Sequence, residues 1–177
     1  MFTPFDYQSE CLGELAKARA AGKQKGLVVM ASGLGKTFTV AFDVQTWLKS
    51  AQGRFLYLCD QNDILYQART TFETVLGDTA SFGYYNGEEK SARGKDGVFA
   101  SFQTMGKHLR SFSPTEFAYI VVDESHHSHA DTYRNVIKHF TPAWLLGVTA
   151  TPDRMDGASL HTVATAAAEA DSRGTQA

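Results

Sequence analysis

Leu27-Val-Val-Met-Ala-Ser-Gly-Leu-Gly-Lys-Thr-Phe-Thr-Val-Ala41 passes from an unbroken apolar run, through a glycine-containing turn, into a segment with helical spacing. The run Leu27–Met30 has no polar alternation, as expected of a strand buried on both faces of a sheet. Beyond the turn, Thr37, Val40, Ala41, Val44, Trp47 and Leu48 share one face of a helix. Strand, tight turn and helix in direct succession make the first half of a βαβ unit. Outward from it the pattern repeats, with apolar runs at Phe55–Cys59, Val98–Phe102, Tyr119–Val122 and Leu145–Thr149. Ile64, Leu65, Ala68 and Phe72 mark a second helical face. Right-handed crossovers of this kind build an open, doubly wound α/β sheet, mostly parallel and flanked by helices.

A helix ahead of the sheet is expected, with Thr3 as its cap, Pro4 in its first turn and an apolar stripe of Phe5, Leu12, Leu15 and Ala16. Ala20 to Lys25 reads as a turn into the first strand, and the charged, glycine-rich stretch Asn86 to Gly97 as an exposed loop. Residues 1–157 form one expected domain. The last twenty residues, Ala158 to Ala177, are rich in Ala, Thr and Ser and hold only Leu160 and Val163 as sizeable apolar groups, so a frayed or disordered tail is expected there.

A chain of 177 residues with 43% apolar and 12% aromatic content has material for one good-sized core. Its net charge of -2 excludes binding of nucleic acid through bulk positive charge, leaving only local contacts. Cys11 and Cys59 share no metal-type spacing, and Cys59 lies in an apolar run that predicts a buried thiol. The N-terminus lacks the pattern of a signal peptide, and no apolar stretch reaches membrane-spanning length. A cytoplasmic protein without membrane contact is expected.

The turn itself carries chemistry. Glycines allow successive backbone N–H groups to point inward at a phosphate, a lysine reaches the β- and γ-phosphates, and an adjacent hydroxyl can ligate Mg2+. Gly33, Gly35, Lys36 and Thr37 supply these in order, and the following helix adds its positive N-terminal end. Ala31, Ser32 and Leu34 complete the expected nucleotide contacts. Met30 stands where such loops begin with glycine, which requires a negative φ there. A second constellation ends the run Tyr119-Ile-Val-Val in Asp123-Glu124-Ser125-His126. A parallel strand delivers its last residues to the carboxyl edge of the sheet, where ligands bind in this architecture. Asp123 is expected to hold Mg2+ and Glu124 to orient and deprotonate a water. A dedicated metal cage of His126, His127 and His129 is disfavoured by the lack of separated ligand segments.

With both constellations in place, the chain resembles the superfamily 2 helicases, in the DEAD/DEAH-box (DExH) and type III restriction-subunit-like branch, from about Phe5 to Gly157. Met30 to Thr37 looks like motif I, Asp123 to His126 like motif II, and Thr149-Ala150-Thr151-Pro152 like motif III. Phe5-Asp-Tyr-Gln8 is similar to the segment whose glutamine reads adenine. Leu58 to Gln67 resembles motif Ia, and Ser101-Phe-Gln-Thr104 resembles motif Ib. The resemblance implies a P-loop NTPase with a single RecA-like domain that uses ATP and Mg2+. It implies catalytic roles for Lys36, Asp123 and Glu124, adenine contact by Gln8, and coupling through His126, Thr149, Ala150 and Thr151. It further implies nucleic-acid contacts, to DNA rather than RNA, through Gln61, Asn62, Ser101, Gln103 and Thr104, and a second RecA-like domain as partner.

Two departures stand out. Asp60 and Gln61 occupy positions where motif Ia relatives often carry a basic residue or His, and Ser101 replaces the commoner Thr. No counterpart of motifs IV to VI, with their arginine finger, follows motif III in this sequence, and that finger is worth about 10³–10⁵ in rate in related hydrolases. The expected function is therefore the ATP-binding half of a helicase or translocase that hydrolyses ATP with a second domain. The alternatives are a truncated nucleotide-binding remnant, or a stand-alone P-loop ATPase that ignores nucleic acid.

Overall fold

A computed structural model describes residues 1–50, 53–123 and 130–151, together with the backbone of 162–166. The expected runs all become strands: β1 Lys25–Met30, β2 Arg54–Cys59, β4 Gly97–Ser101, β5 Phe117–Asp123 and β6 Trp144–Thr149. Two further strands, β3 Phe82–Tyr85 and β7 Thr162–Ala166, complete a sheet of order β3-β4-β2-β5-β6-β1-β7. Every ladder is parallel. The helices are α1 Asp6–Ala20, α2 Lys36–Ser50, α3 Asn62–Leu76, α4 Phe102–Lys107 and α5 Ala130–His139. None of the described helices is long and apolar enough to cross a membrane.

The near-continuous apolar strands are buried on both sides because each face of the sheet has its own core. On one face Val28, Tyr57, Tyr119 and Trp144 pack with Leu15 of α1, Val40 and Val44 of α2, and Leu65 and Phe72 of α3. On the other, Leu56, Val98, Ile120 and Leu145 meet Phe102 and Met105 of α4 and Val136 of α5. The first face is rich in rings, with Phe55, Phe72 and Phe99 in mutual contact at centroid separations of 5.3–6.0 Å. Fully burying each such ring is worth about 1.5–3 kcal/mol. Gly97 opens β4 because its backbone lies on the Phe55 ring; a Cβ there would come within 2.1 Å of it.

A buried ion pair joins α1 to α2. Arg19 donates to both oxygens of Asp43 at 2.6 and 2.7 Å, and the Tyr119 hydroxyl donates to Asp43 Oδ2 at 2.6 Å. Arg19 also lies over the rings of Trp47 and Trp144. Burial, then the charge of Asp43, pushes the nearby Cys11 thiol up to about 12. Both Cys11 and Cys59 are buried thiols, as expected for Cys59.

Four expectations need correction. Helix α1 starts at Asp6 with Phe5, not Thr3, as its cap residue, because the Gln8 side chain accepts the Phe5 N–H at 2.9 Å. Strand β3 was not anticipated: Phe-Gly-Tyr-Tyr is short and its glycine breaks the apolar run. The stretch after it is not simply exposed. Asn86 and Ala92 are buried, Arg54 donates to the carbonyls of Lys95 and Ala92, and Ser91 and Lys90 double back along the outer side of β3. Finally, the tail expected to be frayed contributes β7, whose threonines and valine suit an extended backbone and whose partner is the otherwise open side of β1.

Candidate functional site

Strand register decides where the chemistry gathers. β6 lies between β1 and β5, with Val29 opposite Thr149 and Asp123 opposite Val148. The carboxyl ends of the three strands are therefore level, and the turn after β1, Thr149 and Asp123 share one edge of the sheet.

The turn takes the form expected of it. Gly33 and Gly35 have φ of 85° and 76°, a region that L side chains rarely adopt, and Lys36 is the first residue of α2. Met30 ends β1 fully buried, and no described non-glycine residue has positive φ, so the missing first glycine is accommodated. The loop is held from outside. The Gly35 carbonyl accepts the Thr39 N–H at 3.0 Å, the Thr39 hydroxyl at 3.1 Å and Gln8 Nε2 at 3.3 Å. The Tyr7 hydroxyl donates to the Leu34 carbonyl at 2.9 Å. The φ of Gly35 requires glycine there, and a Cβ would also push aside the Gln8 amide, which it would approach to 2.8 Å. Ser32 and Gly33 are exposed, and Ala31, Leu34, Lys36 and Thr37 half-buried.

Gln8 is 3% exposed, and its oxygen and one N–H are taken by Phe5 and Gly35. The structure thus shows it as a strut between α1 and the loop. Beside it, Phe5 stacks on Tyr7 and Phe2 lies 6.1 Å from Phe38; both phenylalanines are more than half exposed, an apolar surface next to the loop.

Across the edge, Asp123 ends β5 half-buried, and the Tyr57 hydroxyl of β2 donates to its Oδ2 at 2.5 Å. Burial first, then the Asp123 carboxylate, holds the Tyr57 phenol well above its ordinary range, so it remains a protonated donor. The Thr37 side chain acts on the same phenol in the opposite sense, favouring its ionised form. The phenol thus holds Asp123 directly and neighbours Thr37, the other expected metal-binding residue. Hydroxyl and carboxylate are hard oxygen donors of the kind Mg2+ takes, so the residues present fit that ion.

The coupling residues divide. Thr149 is buried, and its hydroxyl donates to the Thr151 carbonyl at 2.9 Å and accepts the Thr151 N–H, closing a turn that leaves Ala150 and Thr151 exposed. Glu124 and His126, like His127 and His129, lie outside the described residues.

The expected nucleic-acid residues also divide. Gln61 is exposed at the head of α3, with Asn62 half-buried next to it. Ser101 and Thr104 are not surface groups: the Ser101 hydroxyl caps α4 by accepting the Thr104 N–H at 3.2 Å, and both residues are buried. Of that trio only Gln103 is exposed, beside Lys107 in a cleft of about 330 Å³ between α4 and α5 that Thr132 and Asn135 also line. Sequence reasoning missed Tyr7, Thr39 and Tyr57. For Tyr57 there was a signal, since a tyrosine inside a fully buried run must find a partner for its hydroxyl.

Residues 1–154 match the family described as the type III restriction enzyme res subunit. Among relatives, the type I restriction enzyme EcoAI endonuclease subunit of Escherichia coli is 28% identical over 165 residues, covering 85% of this chain and 19% of that protein. The DNA 3'-5' translocase XPB2 of Sulfurisphaera tokodaii is 28% identical, covering 86% of this chain and 31% of that one. The UvsW helicase of bacteriophage T4 superposes with a TM-score of 0.70 at 17% identity, over 85% of this chain and 53% of that one, a likeness of fold. The chain thus spans a third or less of the length of these two sequence relatives.

Proposed function

Because the chain belongs to the type III restriction enzyme res subunit family, we propose that it is the ATP-binding half of an ATP-dependent DNA helicase or translocase. The observation that carries this reading is the shared edge: a loop with two left-handed glycines, leading into α2, level with Asp123, whose carboxylate the Tyr57 hydroxyl holds.

In this reading the backbone N–H groups from Ala31 to Gly35 and the N-terminus of α2 receive the β-phosphate. The Lys36 ammonium reaches the β- and γ-phosphates. Thr37 and Asp123 would hold Mg2+, directly or through water, and the ion would supply positive charge against the phosphate oxygens. Glu124 orients a water in line with the γ-phosphorus and takes its proton as the new P–O bond forms and the bond to the ADP oxygen breaks. Gln8 acts chiefly by fixing the loop, and the adenine ring lies against the exposed face of Phe5. Thr149, between the two site strands, and His126 relay the change at the γ-phosphate to neighbouring domains. The arginine finger comes from a second RecA-like domain, in cis or in trans. DNA, engaged in the cytoplasm, runs past Gln61, Asn62 and Gln103 through backbone contacts that carry position rather than sequence.

The test is Mg-ATP binding and hydrolysis by the 177-residue chain, with and without DNA, beside Lys36→Ala. Expected are binding that the substitution abolishes, hydrolysis near background and no unwinding. Robust unwinding by the chain alone would overturn the need for a second domain; absence of ATP binding would overturn the whole reading.

A further inference from the structure

Tyr57 sits at the centre of the sheet, 2% exposed, on a strand that carries neither of the two expected metal-binding residues. Its register partner on β5 is Val121, two residues short of Asp123. Two residues of strand span about 7 Å, a gap that the phenol oxygen closes and a shorter or purely hydrocarbon side chain would leave without a donor. The ring is clamped between Phe72 and Phe99, at centroid distances of 5.7 and 5.5 Å, so the hydroxyl has little freedom to look elsewhere. It ends 2.5 Å from Asp123 Oδ2, the short distance of a hydroxyl donating to a carboxylate.

We propose that Tyr57 is a positioning residue for Mg-ATP, its hydroxyl fixing the Asp123 carboxylate at the end of β5. Metal ligands need such outer partners. A carboxylate hydrogen-bonded on one oxygen keeps one orientation, and losing that partner costs about 10–100-fold in metal affinity in characterised sites. The aromatic packing of the ring and the work of its hydroxyl are separable, because Tyr57→Phe keeps the first and removes only the second. The inference rests on the reading of the shared edge as an ATP site.

The experiment measures affinity for ATP by the full chain in two conditions, with Mg2+ and with chelator, for the wild type, Tyr57→Phe, Asp123→Asn and the double variant. The expected result is a fall of about 10-fold in the ratio of Mg-ATP to metal-free ATP affinity for Tyr57→Phe, with metal-free affinity unchanged. Adding Tyr57→Phe to Asp123→Asn should lower the ratio no further, since the hydroxyl acts through that carboxylate. A ratio equal to wild type overturns the proposal. So does a parallel loss in both conditions, which would mark the hydroxyl as merely structural. If the wild type binds no ATP in either condition, the ATP-site reading itself falls and takes this inference with it.

Discussion

Two tyrosines on neighbouring central strands each give their hydroxyl to an aspartate, yet the two pairs do different work. Tyr119 meets Asp43 at 2.6 Å and Tyr57 meets Asp123 at 2.5 Å, on the same face of the sheet. Tyr119 lies opposite Phe55, so it sits one side-chain repeat earlier along the strands than Tyr57. That offset decides their fates. Asp43 is in the body of α2, 2% exposed, and the fold supplies its counter-charge in Arg19. Asp123 is half-buried at the last position of β5, at the carboxyl edge of the sheet. The same chemical pair is thus a rivet in the interior and, in the proposed ATP-site reading, a rigid mount at the edge. Burial and strand position distinguish them; residue type does not.

The largest expected effect breaks the first pair. Arg19→Ala strands the Asp43 carboxylate, and removing one member of a buried pair costs about 3–5 kcal/mol. Urea unfolding should show a loss near the lower end of that range, since Arg19 keeps some exposure. The ratio of Mg-ATP to metal-free ATP affinity should stay at the wild-type value in the folded protein. A changed ratio would mean that the two pairs are not independent. Next in size is Tyr119→Phe, which removes one hydrogen bond to a charged group, worth about 1.5–3 kcal/mol. Unfolding should register it and nucleotide titration should not, the mirror image of Tyr57→Phe; equal behaviour of the two phenylalanine variants in both assays would erase the distinction.

The smallest effect sharpens the interior side through pH. Cys11 has its thiol raised from an ordinary 9.0 to about 12, by burial and by Asp43. A raised folded value means that the folded state holds the proton longer than the unfolded chain. Its stabilising contribution is complete below about pH 9 and is lost as pH rises through about 12. Cys11→Ala should therefore flatten part of the fall in stability across that alkaline window. The buried phenols of Tyr57 and Tyr119, also held above their ordinary range, keep the rest of the slope. An unchanged alkaline slope in Cys11→Ala would show that the thiol ionises equally in both states.

Most of the sheet was legible because strands buried on both faces must be apolar throughout, and Phe55–Cys59 or Leu145–Thr149 can hardly be read otherwise. The glycine turn was legible for a related reason: positive φ at Gly33 and Gly35 restricts residue choice so tightly that local sequence reports it. What escaped depends on long-range contact. Nothing near Tyr57 in sequence names Asp123, 66 positions away, and the hydroxyl partner of Ser101 was a helix end rather than a surface. The resemblance names Gln8 as the adenine contact, and only the fold shows that the same side chain also braces the loop through the Gly35 carbonyl. Strand β7 was missed because five small or β-branched residues form a strand only when an open neighbour such as β1 is there to receive them.

The return of the chain along β3 has a consequence for how molecules of this protein behave in a crowd. An outermost strand is an invitation for another copy to add its own strand, the first step toward fibrous association. Here Ser91 meets both the carbonyl and the N–H of Tyr84, and Lys90 bridges to Tyr85, so the open backbone groups at that margin are answered from within the same chain. Arg54 holds this self-made hem in place by grasping the carbonyls of Ala92 and Lys95. If the carboxyl edge is where nucleotide and partners meet, as proposed, the chain confines its openness to that edge and hems this border with its own backbone.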